Sequence, residues 1–390
     1  MKQIGIGLIG AWGWRGHLAS YAIEEGAKLI GAADIYKESL DKFKEHYKDQ
    51  GDLFLTNDYK ELLKREDINA VFILSPDFLH EEHTIAALKA GKDVYLEKPL
   101  GITIEQCDNI LRTAMEEGRK LFLGHNMRYF PVILKMKEVI DSGIIGDIQA
   151  VWCRHFVSYG GEAYFKDWHS ERKNINGLLL QKGAHDIDVI HWLAGGYSKS
   201  VVGMGKLSVY DKCDKERQGE NDHYEQVSFN EENWPAENLK GVSHKVDVED
   251  HNMIMMQLEN GVQATYMHCH YTPDSGRNYT FIGTKGRVEN IGDEGDCQVV
   301  VYTTRTDGFA KPDIIHQLKK KDGTHGGSDP AIVKAFVRYI RDGEKPNTSP
   351  VAARQAVVTG VLATESVRGG SNLKIVPELD KEIIEYFKNN

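Results

Sequence analysis

The sequence predicts an α/β protein that contains two kinds of sheet. Through about the first 125 residues, apolar strands alternate with helical segments, which is the pattern of a doubly wound parallel sheet. From residue 148 onward, most strands follow one another through turns, which is typical of an antiparallel sheet. We therefore expect two domains, at residues 1–125 and 126–390.

The composition limits the classes of function to consider. The 390 residues are 41% hydrophobic, enough to bury two substantial cores. The formal net charge of -10 disfavours nucleic acid as a partner, because phosphate binding needs a basic surface. Five cysteines without a CxxC pair indicate reduced thiols and no structural disulfide. With no leader and no membrane-spanning apolar run, we expect a cytoplasmic protein that binds small molecules and no membrane.

A glycine turn follows the first strand, at residues 3–9, and precedes a helix from His17 to about Glu25. Glycines permit a tight turn, and the N–H groups that open the next helix favour a pyrophosphate. The spacing is G-x-x-G-x-x-G, which departs from the usual dinucleotide fingerprint because Trp12 lies near the place of the second glycine. The predicted cradle consists of Gly10, Ala11, Trp12, Gly13, Trp14 and Arg15.

Asp34 ends the second strand, 28–33, and lies 24 residues after Gly10. An acidic residue at about this distance accepts the ribose hydroxyls of NAD and repels the additional phosphate of NADP. No arginine follows it, although Lys37 is near. The sequence therefore favours NAD, with NADP as the weaker alternative.

Lys98 lies at the end of another apolar segment, Val94-Tyr-Leu-Glu-Lys-Pro-Leu100. Ligands of an open α/β sheet bind beyond the carboxyl ends of its strands, so a lysine here is a candidate for chemistry. An isolated Glu-Lys-Pro sequence would more often be a solvated strand end. Polar motifs at other strand ends favour the functional alternative: Gly10 to Gly16, Asp34, Ser75 to His80, Glu97-Lys98 and His125 to Arg128.

The second half predicts an amphipathic helix at 131–142 and then strands at 148–156, 201–210, 253–258, 263–270, 279–282 and 298–302. Helices are predicted at 329–342, 351–367 and 381–388. Residues 211–249 are rich in charge and amide groups, and we name them the polar excursion. A solvated loop is the expected structure, with a lid over the substrate or an oligomer contact as alternatives.

Five motifs occur in one order: Gly10 to Gly16, Ser75-Pro-Asp-Phe-Leu-His80, Glu97-Lys98-Pro99, Gly124-His-Asn126-Met-Arg128-Tyr-Phe-Pro131 and Gly183-Ala-His185-Asp-Ile-Asp188. Together they resemble the glucose-fructose oxidoreductase, inositol dehydrogenase and rhizopine catabolism protein family (Gfo/Idh/MocA) over essentially the whole chain. The resemblance implies a Rossmann domain, a C-terminal α/β domain on a large, mostly antiparallel open sheet, and hydride transfer between a nicotinamide and a sugar or polyol carbon. It also implies a homodimer or homotetramer that forms through the open sheets.

The same resemblance implies site residues. Lys98 and His185 would share acid–base catalysis and alkoxide stabilisation. Besides the glycine turn and Asp34, cofactor contacts would include Ser75, Pro76, His80, Glu97, Lys98, Asn126 and Arg128. Substrate contacts would include Lys98, Arg154, Trp168, His169, Gln181, Lys182 and His185, of which Trp168 and His169 would stack on a sugar ring or be a partly buried loop pair.

One position departs from the family pattern. The acidic residue often found four positions before the histidine is here Gln181, so the substrate or the proton relay is expected to differ from those of inositol-type members. His268-Cys-His270 puts two histidines on one strand face, and His155, His169 and His185 are further candidate metal ligands, but such spacing is unspecific and we expect no metal. Two other functions stay open: a glycosidase of the same fold that uses NAD without net consumption, and a non-enzymatic NAD-dependent regulator, which the Lys98 and His185 pair disfavours.

Overall fold

The computed structural model describes residues 3–11, 14–215, 229–320 and 324–390. The strands among these residues are β1 Gly5–Ile9, β2 Lys28–Ala33, β3 Phe54–Thr56, β4 Ala70–Ile73, β5 Asp93–Leu96, β6 Leu121–Leu123, β7 Ile148–Phe156, β8 Ser198–Lys206, β9 His251–Leu258, β10 Gln263–Cys269, β11 Gly276–Gly283, β12 Arg287–Ile291, β13 Cys297–Tyr302, β14 Ile314–Leu318 and β15 Lys374–Ile375. The α-helices are α1 Leu18–Glu24, α2 Lys37–His46, α3 Tyr59–Leu63, α4 His80–Lys89, α5 Ile104–Glu116, α6 Pro131–Asp141, α7 Gly160–Tyr164, α8 Arg172–Ile175, α9 Leu178–Gln181, α10 Gly183–Ala194, α11 Ser328–Asp342, α12 Pro350–Arg368 and α13 Lys381–Asn389.

The chain divides into two compact units. The first comprises Met1–Asn126, Gly327–Arg354 and Glu378–Asn390, and the second comprises Met127–Gly326 and Gln355–Pro377. The predicted division at residues 125 and 126 differs from this one, because two C-terminal segments group with the first unit. Packing explains the difference, since Phe336 of α11 contacts the rings of Phe72, Tyr95 and Phe122 on three strands of the first sheet.

The first unit contains a six-stranded sheet in the order β3-β2-β1-β4-β5-β6. All neighbouring strands pair in parallel. The central strands β1, β4 and β5 are almost entirely buried, as expected when helices cover both faces of a sheet. This sheet is the predicted doubly wound arrangement, and it brings the carboxyl ends of β1, β2, β4 and β5 to one edge.

The second unit contains a nine-stranded sheet in the order β14-β13-β12-β11-β7-β10-β9-β8-β15. Only β7 and β10 pair in parallel among its described strands, and the other pairs are antiparallel. Burial alternates along β9, which identifies one covered and one exposed face. Helix α10 packs against β7 and β10 on the covered face. The prediction of an α/β protein with one parallel and one mostly antiparallel sheet is confirmed.

Some elements differ from the sequence prediction. Strands β3, β12, β14 and β15 were not predicted, since they are short or bury few apolar side chains; β12 buries only Val288 and Asn290. The strand predicted at 201–210 ends at Lys206 instead. The Asp250 carboxylate accepts the backbone N–H groups of Ser208 and Val209, at 2.9 and 2.7 Å, and so turns the chain away from the ladder.

The polar excursion is not merely a solvated loop. Residues 216–228 lie outside the described residues, but its flanks carry buried apolar side chains. Leu239, Val242 and Val248 pack with Phe165 and Tyr210 in one hydrophobic cluster. Buried apolar side chains thus attach the excursion to the second unit. The sequence did not indicate this, because the segment as a whole is polar.

No helix in the described part of the chain is long and apolar enough to cross a membrane.

Candidate functional site

Gly10 ends β1 in a conformation that favours glycine. Its φ is 90°, and a Cβ atom placed there would lie 2.8 to 2.9 Å from backbone atoms of Leu74 and Ser75. The ends of β1 and β4 therefore approach each other as closely as their backbones allow. Trp12 and Gly13 lie outside the described residues, and a 3-10 turn, Trp14–His17, precedes α1.

Asp34 is held at the end of β2 by main-chain donors. Its Oδ2 accepts the N–H of Ala11 at 2.9 Å, and its Oδ1 accepts the N–H of Tyr36 at 2.9 Å. The carboxylate thus bridges the glycine turn and the turn after β2. Each oxygen retains a lone pair, so the group can still accept a ribose hydroxyl.

His80, predicted to contact the cofactor, is instead buried beneath the loops. Its Nδ1 lies 2.6 Å from the carbonyl oxygen of Pro99 and its Nε2 lies 2.9 Å from that of Ser75, and the residue is 1% exposed. Both ring nitrogens are engaged with the main chain, so we withdraw His80 as a cofactor ligand. Ser75 itself lies at the carboxyl end of β4, and Pro76 follows it before the 3-10 turn Asp77–Leu79.

Glu97 and Lys98 follow β5 directly. The Glu97 side chain is buried and accepts from Arg15 Nη1 at 2.9 Å and from the Tyr95 hydroxyl at 3.3 Å. This ion pair links the turn after β1 to the end of β5. Lys98 is half-buried and precedes Pro99 through a cis peptide bond. The two predicted cofactor residues Arg15 and Glu97 are therefore brought together beside the candidate lysine.

Asn126 and Arg128 have different surroundings. The Asn126 amide donates to Asp329 at 3.0 Å. The Arg128 guanidinium donates to both Asp188 oxygens at 2.7 Å and lies over the Trp192 ring at 5.1 Å. Because this pair is buried and bidentate, Arg128 fastens the 3-10 turn Asn126–Tyr129 to α10, and we withdraw it as a cofactor ligand.

His185 lies in the first turn of α10 and is 6% exposed. The helix is buried on nearly all sides, including Asp186 and Asp188, which are both fully buried. Polar residues on a helix this deep need partners, and the next residue, Asp186, has four. Its oxygens accept from His155 at 3.0 Å, from the Tyr266 hydroxyl at 2.8 Å, from Arg277 at 2.9 Å, and from the Tyr279 hydroxyl.

Burial and charge fix the ionisation of this network. Burial alone would raise the pKa of Asp186, but Arg277 and His155 hold the pKa of this carboxyl well below its usual range. Burial, with Arg277 nearby, lowers the pKa of His155 to about 4. Burial, with His155 nearby, lowers the pKa of His268 to about 3. At neutral pH, a carboxylate thus lies next to two neutral imidazoles.

The sequence offered His155, His268 and His270 only as candidate metal ligands. His155 and His268 are register partners on β7 and β10, and the His268 and His270 rings are 4.8 Å apart. Side chains on a strand alternate between its two faces, so the sequence predicts which histidines of one strand share a face. That the histidines of β7 and β10 lie together could not be predicted, because it depends on the pairing of these two strands. In the described parts of the chain, no group of three or more His, Cys, Asp or Glu residues is arranged to hold a metal ion.

Two of the predicted substrate residues lie beside Tyr164, and a third stacks on one of them. His169 contacts the Tyr164 ring edge-on at 5.5 Å, and Lys182 Nζ lies 5.8 Å from the centre of the same ring. Trp168 stacks on His169 at 3.7 Å, so its indole is already partnered within the protein. Gln181 is buried at the end of α9, directly before Lys182.

Arg154 was predicted to contact the substrate, and the structure argues against this. It lies between Cys153 and His155, which are both buried on the covered face of the sheet. Successive side chains of a strand point to opposite faces, so Arg154 projects from the exposed face, away from α10. We withdraw it from the candidate site. The sequence could not show this because the face of β7 that is covered depends on the helix packed against it.

Both halves of the chain match models of one oxidoreductase family. Residues 4–125 match the family model described as the oxidoreductase family, NAD-binding Rossmann fold, and residues 137–375 match the model of the oxidoreductase family, C-terminal alpha/beta domain. The chain is similar to an inositol 2-dehydrogenase/D-chiro-inositol 3-dehydrogenase of Halalkalibacterium halodurans, with 32% identity over 45% of this chain and 48% of the relative.

A second relative is the 2,7-anhydro-N-acetylneuraminate hydratase of Mediterraneibacter gnavus, 29% identical over 53% of each chain. The matched part thus spans about half the length of these two relatives. A solved structure, levoglucosan dehydrogenase in complex with NADH and levoglucosan, has a TM-score of 0.76 at 19% identity and covers 97% of this chain and 100% of its own. That likeness shows the fold. With both family models matched over most of its length, the chain belongs to the Gfo/Idh/MocA oxidoreductase family.

Proposed function

We propose that the protein transfers a hydride between NAD and a secondary alcohol or ketone carbon of a sugar, a polyol or a sugar derivative. The observation that carries this proposal is the position of Lys98, half-buried at the carboxyl end of β5 in an NAD-binding Rossmann unit. Catalysis of this type needs an acid–base group at the reacting oxygen, and Lys98 is the group that the strand-end position favours.

Two features of the first unit support NAD as the cofactor. At Gly10 the backbone lies too close to Leu74 and Ser75 for a side chain, and Asp34 presents a carboxylate at the end of the neighbouring strand. Gly10, Ala11, Trp12, Gly13, Trp14 and Arg15 would surround the pyrophosphate, and Ser75, Pro76, Glu97 and Asn126 would line the rest of the site. When bound, NAD accepts or supplies the hydride. Asp34 would exclude the 2′-phosphate of NADP by charge repulsion.

The residues of this chain would handle the proton. Lys98 and His185 would hold the reacting hydroxyl, one as proton acceptor and the other as donor to the developing alkoxide. Other substrate hydroxyls would be contacted by Lys182, Gln181 and His169. Trp168, which stacks on His169, would form the border of the site on that side. Sugar and polyol ligands suit this set because it offers several hydrogen-bond donors and acceptors beside aromatic rings.

A second candidate function is a reaction that uses NAD without net consumption. Two observations favour it: Gln181 stands where an acid is usual, and one relative is named as a hydratase of an anhydro sugar. Transient oxidation of a sugar carbon would acidify the neighbouring C–H bond, after which elimination and return of the hydride leave NAD unchanged. A non-enzymatic regulator is disfavoured by Lys98 and His185 together.

The decisive experiment is a panel of sugars, inositols, sugar acids, anhydro sugars and aryl glycosides with NAD or NADP. Nicotinamide absorbance and product analysis would be recorded in parallel. Net NADH formation with a sugar or polyol supports the first candidate. NAD-dependent product formation without NADH accumulation supports the second candidate. NAD binding without turnover of any member would contradict both.

We also propose that the second unit forms the oligomer through the exposed face of its sheet. Met204, Met253, Met255 and Trp152 lie on that face and are 44% to 69% exposed. The register puts Met204 beside Met253, so the apolar surface continues from strand to strand. Light scattering of the wild type should show a dimer or tetramer, and Met255→Glu should shift it toward monomer; a monomeric wild type would contradict this proposal.

A further inference from the structure

His80 has an environment that a neutral histidine cannot satisfy. Both of its ring nitrogens lie at hydrogen-bond distance from main-chain carbonyl oxygens, Nδ1 at 2.6 Å from Pro99 and Nε2 at 2.9 Å from Ser75. A carbonyl oxygen can only accept. A neutral imidazole has one N–H and one lone pair, so one contact would bring two lone pairs together. With the residue 1% exposed, water cannot relieve that contact.

We propose that His80 is held as an imidazolium that donates to both carbonyls and thereby positions Lys98. This inference rests on the proposed function only for the catalytic role of Lys98. The two accepting carbonyls belong to the loops after β4 and β5, and the second is one residue beyond Lys98. A rigid ring that donates in two directions fixes the separation of these loops, and charged donors make the stronger hydrogen bonds.

Carboxylates lie on the elements next to His80, whereas one cation, Lys98, directly precedes the accepting residue Pro99. His80 begins α4, whose N-terminal end disfavours a positive charge, but Glu81 and Glu82 occupy the same first turn. Asp77, which is 5% exposed, lies in the preceding 3-10 turn. These carboxylates oppose the effect of the helix end. The next ionisable residue along α4 after Glu82 is His83.

His83 provides an internal comparison. It lies one turn further along α4, and its Nδ1 contacts the Ser75 hydroxyl at 2.8 Å, a group that can donate or accept. Burial lowers the pKa of His83 to about 4, and repulsion from His80 acts in the same direction. Two histidines on one helix thus bond to the same residue, Ser75, in opposite protonation states. The difference follows from the partners, a hydroxyl for His83 and two carbonyls for His80.

The first test reads the proton directly. Long-range nitrogen–proton NMR of the perdeuterated protein with 15N-labelled histidine, at neutral pH, distinguishes N–H from bare ring nitrogens. We expect both His80 nitrogens to carry protons and one His83 nitrogen to be bare, with the His80 signals assigned by their loss in His80→Lys. A bare nitrogen on His80 would overturn the inference without touching the proposed function.

The second test measures, through kcat and KM, whether His80 positions Lys98. His80→Phe removes both bonds, whereas His80→Lys keeps a cation with several N–H donors. We expect kcat to fall by about 10- to 100-fold in His80→Phe, as for a catalytic group displaced by about 1 Å, with the KM for the sugar unchanged. His80→Lys should recover part of this loss, and His83→Asn, the matched control, should keep kcat near the wild-type value.

Equal losses in His80→Phe and His80→Lys would refute the positioning role. If His80→Phe does not fold, the NMR measurement on the wild type still decides the protonation state. If Lys98→Met retains kcat, the proposed function fails, while the imidazolium stands or falls on the NMR result alone.

Discussion

Asp34 and His80 in the first unit are held differently from Asp186 in the second unit. In the Rossmann unit, Asp34 and His80 bond to main-chain groups of the strand-end loops. In the second unit, Asp186 bonds to four other side chains. Main-chain partners remain when a neighbouring residue changes, whereas a buried side-chain network fails when one member is removed. Substitutions in the first unit should therefore change chemistry, and those around Asp186 should change stability.

The largest effect is expected at Lys98. Losing a positioned acid–base group typically costs ~10²–10⁴-fold in rate, so Lys98→Met should lower kcat by about that factor. NAD should still bind, because the cradle after β1 does not depend on this side chain. Steady-state kinetics and fluorescence titration with NADH would measure the two quantities.

His185→Ala, in the second unit, should lower kcat to a similar extent if it serves the same proton transfer. The double variant should then lose less than the product of the two single losses. Fully multiplicative losses would count against a shared role. A near-wild-type Lys98→Met would remove the main support for the proposed chemistry.

The next effect is on folding. Asp186→Asn leaves Arg277 buried with Asp293 as its remaining carboxylate, at 3.1 Å. Breaking a buried pair typically costs about 3–5 kcal/mol, and we expect a loss of that order in the free energy of unfolding from denaturant titration. Asp293→Asn is the matched control. It leaves the Asp186 network complete and should cost less; equal losses would show that the network adds nothing beyond one ion pair.

Acid should weaken the second unit through its buried neutral histidines. His191 accepts the Ser198 N–H at its Nε2, and burial lowers its pKa to about 4. The unfolded chain, with a histidine pKa near ~6.5, binds the proton first, so stability falls as pH drops from about 6.5 toward 4. The slope is at most about 1.4 kcal/mol per pH unit for each such histidine.

Thermal unfolding between pH 7 and pH 4.5 would measure this dependence. His191→Gln should reduce the slope relative to the wild type, since it removes one of the titrating groups. An unchanged slope in this variant would contradict the assignment of His191 as buried and neutral.

The smallest effect is expected at Asp34. In Asp34→Ala the repulsive carboxylate is absent, so the ratio of kcat/KM for NADP to that for NAD should rise, by about tenfold if ~1.4 kcal/mol of discrimination is removed. Kinetics with both cofactors would measure the ratio. A wild type that already prefers NADP would refute the assigned role.

The same contrast explains how far the sequence could predict the structure. Strand ends in a parallel sheet meet at one edge by topology, so Gly10, Asp34, Ser75 and Lys98 could be grouped from spacing alone. The roles of Arg128 and Arg154 could not be predicted. The first depends on a carboxylate on α10, and the second depends on which face of β7 that helix covers.

His80 shows the same limit within the Rossmann unit. Its motif was recognised, but its ring faces inward, because α4 begins at His80 itself and is packed against β4 and β5. The histidines of the second unit were missed as a group for another reason. Their meeting requires two strands that are far apart in sequence to pair in a register that no local pattern encodes.

That pairing of β7 with β10 also constrains how the polypeptide reaches its native state. Parallel neighbours cannot be joined by a tight hairpin, and here β8, β9 and everything between must be synthesised before β7 acquires its partner on that side. Such non-local pairing forms slowly, because a long segment of chain must lose conformational entropy before the stabilising contact between the strands is made. During synthesis on the ribosome, β7 would emerge long before β10 and β11, so both of its edges would be unpaired until these strands follow. This interval is the stage at which a growing chain of this kind is most exposed to association with its neighbours.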